Sequence, residues 1–478
     1  MGRAVRLSIA AGTALLALTA CAGTPGRDGP SRDPGHSGGP SGASPDGAGG
    51  SITPEPVTGS GLAEISARPD RCAQPAAADL RVSPGGPRWR VLSAGEGHGR
   101  LDDLAVGGDG AVWAAHSTQR ATAGAVETTS DGLRRWDGAR WESFPLPGAA
   151  VTTVGAMSGE LAWAFGRVGE RAGLVGTLSG GRLLPQWLAG RDASGIGLYG
   201  TAARGPWVVS GRTALRWSGS VWQAYRLPVS ASAVGGEGAN VWTVSAAGYP
   251  AQPATDQDDA RPQPTISQDG ERPEPTTSSD DTRPRSTTSV DDARSQPTTS
   301  LDDARSQPAA SWNGARPQPA ARWNGSAWQV VHVPELGLPL HASSPRAHLD
   351  DVAVLGVDDV WAVGGVSWLA PGKTDRLGEP LEVVRPVALH WDGGGWRCLW
   401  GAPGTTFTQA EPDGRGGVWV LDSTGSRLLH HSGGRWTSTK VAGTVTALSH
   451  RPGTDEVYAA GSVPQDGDLT RATLWRNR

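Results

Sequence analysis

Four hexapeptides limit what this chain can fold into: "WDGARW" (Trp136–Trp141), "WSGSVW" (Trp217–Trp222), "WNGSAW" (Trp323–Trp328) and "WDGGGW" (Trp391–Trp396). Each sets two Trp around a polar residue, a glycine and two further residues. A polar residue followed by Gly is turn chemistry, because the side chain bonds nearby backbone and Gly takes positive φ. Two strands meeting at such a turn make a hairpin with an indole pair at its end. The composition carries the same bias, with 21 Trp against 3 Phe and 4 Tyr.

A second aromatic series runs between the hexapeptides, in "VWAAH", "AWAFG", "PWVVSG", "VWTVS", "VWAVGG", "VWVLD" and "VYAAG". Its members are Trp113, Trp163, Trp207, Trp242, Trp361, Trp419 and Tyr458. Apolar-alternating runs such as "LDDLAVGG" from Leu101 and "LDDVAVLG" from Leu349 precede them, with a Gly/Asp turn between. Each unit therefore reads as four short antiparallel strands, a to d, with the hexapeptide as the c–d hairpin. Seven such units predict an all-β chain, a seven-bladed propeller whose paired Trp fill the wedges between blades. The last unit stops after its third strand at Leu474–Arg478. The strand "PRWRVLSAG" (Pro87–Gly95) is expected to supply the fourth and close the ring.

These units resemble the propeller group that includes kelch, WD40 and galactose-oxidase-like domains. Trp136-Asp137 and Trp391-Asp392 stand where a WD dipeptide would, and Gly364-Gly365 where kelch has its double Gly. The resemblance implies the fold alone, and no catalytic residue follows from it.

The N-terminus reads as an address. Arg3 and Arg6 precede an apolar stretch from Leu7 to Ala20, too short to span a membrane as a mature helix. It ends in Leu18-Thr19-Ala20-Cys21, which resembles a bacterial lipobox. The resemblance implies a signal peptide over 1–20, lipidation of Cys21 and a mature chain held at the outer face of the cytoplasmic membrane. Residues 21–86 are rich in Gly, Pro and Ser and read as a disordered tether with a reach of about 45 Å. The propeller then covers 87–478. It is interrupted at 250–321 by an insertion with an 11-residue period, as in "SVDDARSQPTT" and "SLDDARSQPAA". The insertion has no apolar seam, and a Pro in most of its units breaks any helix, so it reads as a disordered loop.

Chemistry is sparse. A net charge of −4 gives no reason to expect nucleic acid. No metal spacing occurs among the His residues, and no phosphate-binding or nucleophile motif has a strand–turn–helix context; no cofactor is expected. Asp102, Asp103, Asp350 and Asp351 open two innermost strands and are weak candidates for holding Ca²⁺. The b–c connections Ser117–Gly132 and Val366–Arg385 are long and variable, so the b–c/d–a face is the expected ligand face. Arg120, Glu127, Arg167, Arg171, Trp368, Lys373, Asp375 and Arg376 make its mixed, Arg-rich rim, suited to an acidic glycan or a protein. Cys72 and Cys398 are a candidate disulfide, with a buried free Cys398 as the other reading. The leading expectation is a monomeric, surface-tethered binding or scaffold module. The alternative is an extracytoplasmic glycan hydrolase or lyase, and a metal- or quinone-dependent enzyme ranks below both.

Overall fold

The turn chemistry acts as the hexapeptides require. Asp137 Oδ1 accepts the Ala139 and Arg140 N–H groups at 2.8 and 2.9 Å, and Asp392 Oδ1 those of Gly394 and Gly395 at 3.0 and 2.9 Å. Asn324 does the same for Ser326 and Ala327. These hydrogen bonds hold the carboxyls of Asp137 and Asp392 below their ordinary value. Each turn's first glycine has positive φ, 100° at Gly138 and 87° at Gly393. The turns set Trp136 opposite Trp141, Trp217 opposite Trp222, Trp323 opposite Trp328 and Trp391 opposite Trp396.

The computed structural model describes residues 64–73, 80–122, 125–168, 171–180, 182–184, 202–204, 206–220, 222–246 and 314–477. The expected signal peptide, Cys21 and the repeats before Gly314 lie outside them. The described residues are strands and turns, with no helix among them.

Three short strands, β1 (Glu64–Ile65), β2 (Arg71–Cys72) and β3 (Val82–Pro84), precede β4 (Trp89–Ala94). Sheet 1 is β5 (Gly99–Val106), β6 (Val112–Thr122), β7 (Ala125–Trp136) and β8 (Trp141–Phe144). Sheet 2 is β9 (Ala149–Ser158), β10 (Leu161–Val168), β11 (Arg171–Ser179) and β12 (Arg182–Leu184). Sheet 3 is β13 (Ala202–Arg204), β14 (Trp207–Trp217) and β15 (Trp222–Ala231). Sheet 4 joins β16 (Ala233–Glu237) and β17 (Asn240–Val244) to β19 (Ala320–Trp323) and β20 (Trp328–Val331). A small sheet holds β18 (Gly314–Ala315), β21 (Glu335–Gly337) and β2. Sheet 5 is β22 (Ser343–Gly356), β23 (Asp359–Thr374), β24 (Pro380–Trp391) and β25 (Trp396–Trp400). Sheet 6 is β26 (Phe407–Pro412), β27 (Val418–Asp422), β28 (Arg427–Ser432) and β29 (Arg435–Lys440). Sheet 7 is β30 (Thr444–His450), β31 (Val457–Pro464) and β32 (Thr470–Asn477), with β4 paired antiparallel to β32.

The first strands pack side by side in order: β5 on β9, β9 on β13, β13 on β16, β16 on β22, β22 on β26, β26 on β30 and β30 on β5. Strand-b aromatics fill the gaps between sheets. Trp163 meets Trp217 and Trp222 of sheet 3 at 5.7 and 5.2 Å, and Trp207 meets Trp323 and Trp328 of sheet 4. Trp242 meets Trp391 and Trp396 of sheet 5, and Trp419 meets Trp89 of β4 at 5.0 Å. Tyr458 shares a cluster with Trp136 and Trp141 of sheet 1. Trp163, Trp207, Trp242 and Trp361 thus reach the hairpin of the following sheet, which is why the two Trp series alternate along the chain.

Strand c places an Arg or a His on the aromatic it faces. Arg135, Arg216 and Arg322 lie over Trp113, Trp207 and Trp242 at 5.6 to 5.8 Å. His390 and His430 stack on Trp361 and Trp419 at 4.2 and 4.3 Å.

Two expected boundaries move. Residues 64–73 and 80–86 fall within the expected tether but contain strands: β1 pairs parallel with β20, β2 with β21 and β3 with β29. Sheet edges supply the hydrogen bonds that a Gly/Pro/Ser-rich segment cannot make for itself. Residues 314–321 fall within the expected insertion, yet Gly314–Ala315 pair with β21 and Ala320–Ala321 belong to β19.

Candidate functional site

Strands β5, β9, β22, β26 and β30 all bulge, at Asp102, Thr152, Asp350, Thr408 and Thr446, and β9 and β22 carry further register shifts. A bulge needs close backbone approach, and Gly364 gives it: a Cβ there would stand 2.1 Å from the His348 carbonyl. In β5, β22 and β26 the residue after the bulge reaches the next sheet. Asp103 Oδ2 accepts the Val154 N–H at 2.8 Å, Asp351 Oδ2 the Ala410 N–H at 3.0 Å, and Gln409 Oε1 the Leu448 N–H at 2.6 Å. Asp102 accepts from Ser117 Oγ and Arg100, and Asp350 pairs with His348 at 3.3 Å. Of the four aspartates proposed as calcium ligands, Asp102, Asp103 and Asp351 are therefore bound into strand-to-strand struts, and Asp350 is paired with His348 of its own strand. Among the described residues no group of three His, Cys, Asp or Glu could hold a metal.

The expected rim is rearranged. The b–c connections of sheets 1 and 5 are not loops: β6–β7 and β23–β24 continue as two-stranded ribbons. Alternation along the second ribbon turns Trp368 inward, where it is 5% exposed and packs in the core of sheets 4 and 5. It is not a rim residue. Lys373 and Arg376 are exposed at that ribbon's tip, where Asp375 Oδ1 caps the Leu377 and Glu379 N–H groups. Arg120 is exposed on the sheet 1 ribbon, opposite Glu127. Arg167 is half-buried on β10, next to the strand start Arg171. These cations are spread over sheets 1, 2 and 5 and form no single cluster.

Cys72 and Cys398 form a disulfide with Cα atoms 5.8 Å apart. It ties β2 to the outer strand of sheet 5. Beside it the Arg68 carbonyl accepts the Trp396 N–H at 2.5 Å, and the Ala73 carbonyl accepts Trp400 Nε1 at 3.1 Å.

The cavity lies at the other end of the first strands. It measures about 730 Å³ and is lined where strands a turn into strands b, by residues from all seven numbered sheets. Val106, Val352, Val354 and Pro412 form apolar wall, and glycines supply backbone. The charged side chains on the wall, Glu237 and Glu411, are both acidic. Other polar groups there are held by the fold: Asn240 accepts Trp242 Nε1, Ser449 accepts the Val106 N–H, and His450 bonds the Thr454 carbonyl at 2.5 Å. Met157 and Val357 stand 45% and 51% exposed beside the cavity residues Ala156 and Gly356. The sequence had signalled none of this, because the mouth is built from turn glycines and small strand ends of seven distant segments.

Sheets of this form, with first strands packed in sequence around a shared cavity, define a β-propeller. No protein-family model matches the chain, and no curated protein does. Among solved structures, one titled "YCF48 bound to D1 peptide" is similar at 12% identity and TM-score 0.39, over 83% of this chain and 98% of that one. YCF48 from Cyanidioschyzon merolae gives 13% and 0.36 over 82% and 98%. A GH93 alpha-L-arabinofuranosidase of Fusarium graminearum with arabinobiose gives 9% and 0.32 over 83% and 96%.

Proposed function

We propose that this chain is a seven-bladed binding propeller, lipid-anchored through Cys21 at the outer face of the cytoplasmic membrane, that takes a protein segment into its axial cavity. The observation that carries the binding reading is that cavity, to which every numbered sheet contributes. Ring closure by β4 is supported by its pairing with β32 and by the contact of β30 with β5. Acid–base or nucleophilic catalysis needs polar groups that converge on a reacting atom. Here Asn240, Ser449 and His450 are engaged by the fold. The carboxylates Glu237 and Glu411 favour a neutral or cationic ligand over an acidic glycan, and Met157 and Val357 offer it apolar contact.

The test is capture from intact cell envelope with full-length protein, paired with a glycan array. Met157→Asp with Val357→Asp alters only exposed positions and should abolish capture. Lys373→Glu with Arg376→Glu, on the opposite ribbon, should leave it unchanged. The reverse pattern would move the site to the ribbon face, and turnover of a wall polysaccharide would make the protein an enzyme.

A further inference from the structure

The sheet 6 hairpin departs from the four hexapeptide hairpins at one position. Where Trp136, Trp217, Trp323 and Trp391 open their hexapeptides, His431 stands opposite Trp436. Its ring lies 4.8 Å from Trp361 and 4.9 Å from Trp436, in the wedge between sheets 5 and 6 that indoles fill elsewhere. Trp361 carries a second imidazole, His390, stacked at 4.2 Å.

The charged and titratable groups facing His431 are His390 and Arg397 from sheet 5, His430 from its own strand, and Asp359. Asp359 is bonded to His390 at 2.8 Å, and His430 to Asp413 at 2.8 Å. His431 Nδ1 is buried and makes no hydrogen bond among the described residues. A proton taken up by this ring would enter a desolvated wedge already holding a guanidinium and two further imidazoles, with the nearby carboxylate bonded to a neighbour. Burial lowers the affinity of His431 for protons, and His390, His430 and Arg397 lower it further against the opposing pull of Asp359.

We propose that the wedge between sheets 5 and 6 is an acid-sensitive seam, loosened when His431 takes up a proton. Opening hydrates the ring and restores its ordinary pKa of about 6.5, so the open state binds more protons. Seam stability is then complete above about pH 6.5 and falls as the pH drops from there to the lower value of the closed state. Within that window opening rises by at most about tenfold per pH unit, and beneath it the dependence levels off. The same two sheets supply Leu355, Gly356, Pro412 and Gly414 to the cavity, so loosening would reshape its wall. The seam itself does not depend on what the cavity binds.

The test uses full-length protein with His431→Phe and His431→Trp, the second placing here the residue of the other four hairpins. Hydrogen exchange in β23, β24 and β28, corrected for intrinsic rates, is followed from pH 7.5 to 5.0 alongside the imidazole NMR titration. Wild type should open up to about tenfold more per pH unit below 6.5, with His431 titrating below 6.5, and both variants should stay flat. An equal acid response in wild type and variants would overturn the proposal, as would His431 titrating at or above 6.5. If His431→Trp fails to fold, His431→Phe and the wild-type titration still decide.

Discussion

Trp475, near the end of the chain, lies opposite Val91, in a strand that precedes every numbered sheet. This register joins β32 to β4 and brings Trp89 against Trp419. Removing residues 1–86 takes away the strap formed by β1, β2 and β3, while removing 1–95 also takes β4. The melting temperature should fall in two steps, full length above the first truncation and the first above the second. The second truncation should also aggregate, because it leaves β32 as an open edge. Equal melting of the two truncations would mean that β4 closes nothing.

The disulfide spans 326 residues of sequence. The chain-entropy account gives about 6 kcal/mol for a bond over so long a loop, as an upper bound on the roughly 2–4 kcal/mol that disulfides typically contribute. Cys72→Ser with Cys398→Ser should lower the urea midpoint to match reduced wild type. Protease should then gain a cut within 64–86 that wild type resists, because the strap has lost its covalent tie.

Asp351 is 3% exposed and accepts the Ala410 N–H from the next sheet. Asp351→Ala should cost about 1–3 kcal/mol in urea unfolding, because it strands a buried donor. Asp351→Asn keeps an acceptor and should cost less. Added calcium should not change the melting temperature of wild type; a rise lost in Asp351→Ala would restore the metal reading.

Asp413 Oδ1 accepts the Arg415 and Gly417 N–H groups, each at 2.7 Å, and Oδ2 holds His430. Burial pushes its carboxyl up, but these bonds together hold it below the ordinary value of 3.8. A depressed carboxyl stabilises the fold above its unfolded value and loses that contribution as pH falls through the folded one. Wild type should therefore be more stable than Asp413→Asn at neutral pH by about 1–2 kcal/mol. The gap should close below pH about 4, as read by chemical denaturation across the range.

Gly364 and Gly138 separate two uses of glycine. A Cβ at Gly364 meets the His348 carbonyl at 2.1 Å, whereas at Gly138 nothing lies within 4 Å and only the positive φ resists. Gly364→Ala should cost several times the roughly 1 kcal/mol expected for Gly138→Ala. Similar losses would mean that the bulge can relax.

Local chemistry made much of the architecture legible. Hexapeptide spacing and turn residues identify the hairpins, and the seven aromatics of the second series identify their partner strands, because both signals act within a few residues. The candidate site was not legible in that way. The cavity collects strand ends and turns from positions as far apart as Leu104 and Thr454, and no local pattern records that they meet. The same limit explains Asp103 and Asp351: as sequence they are acidic pairs at strand starts, and only the neighbouring sheet supplies the amide each accepts. Trp368 and the strap differ from expectation for a related reason. Burial and edge pairing depend on which surface is left uncovered, and that is decided when the sheets pack.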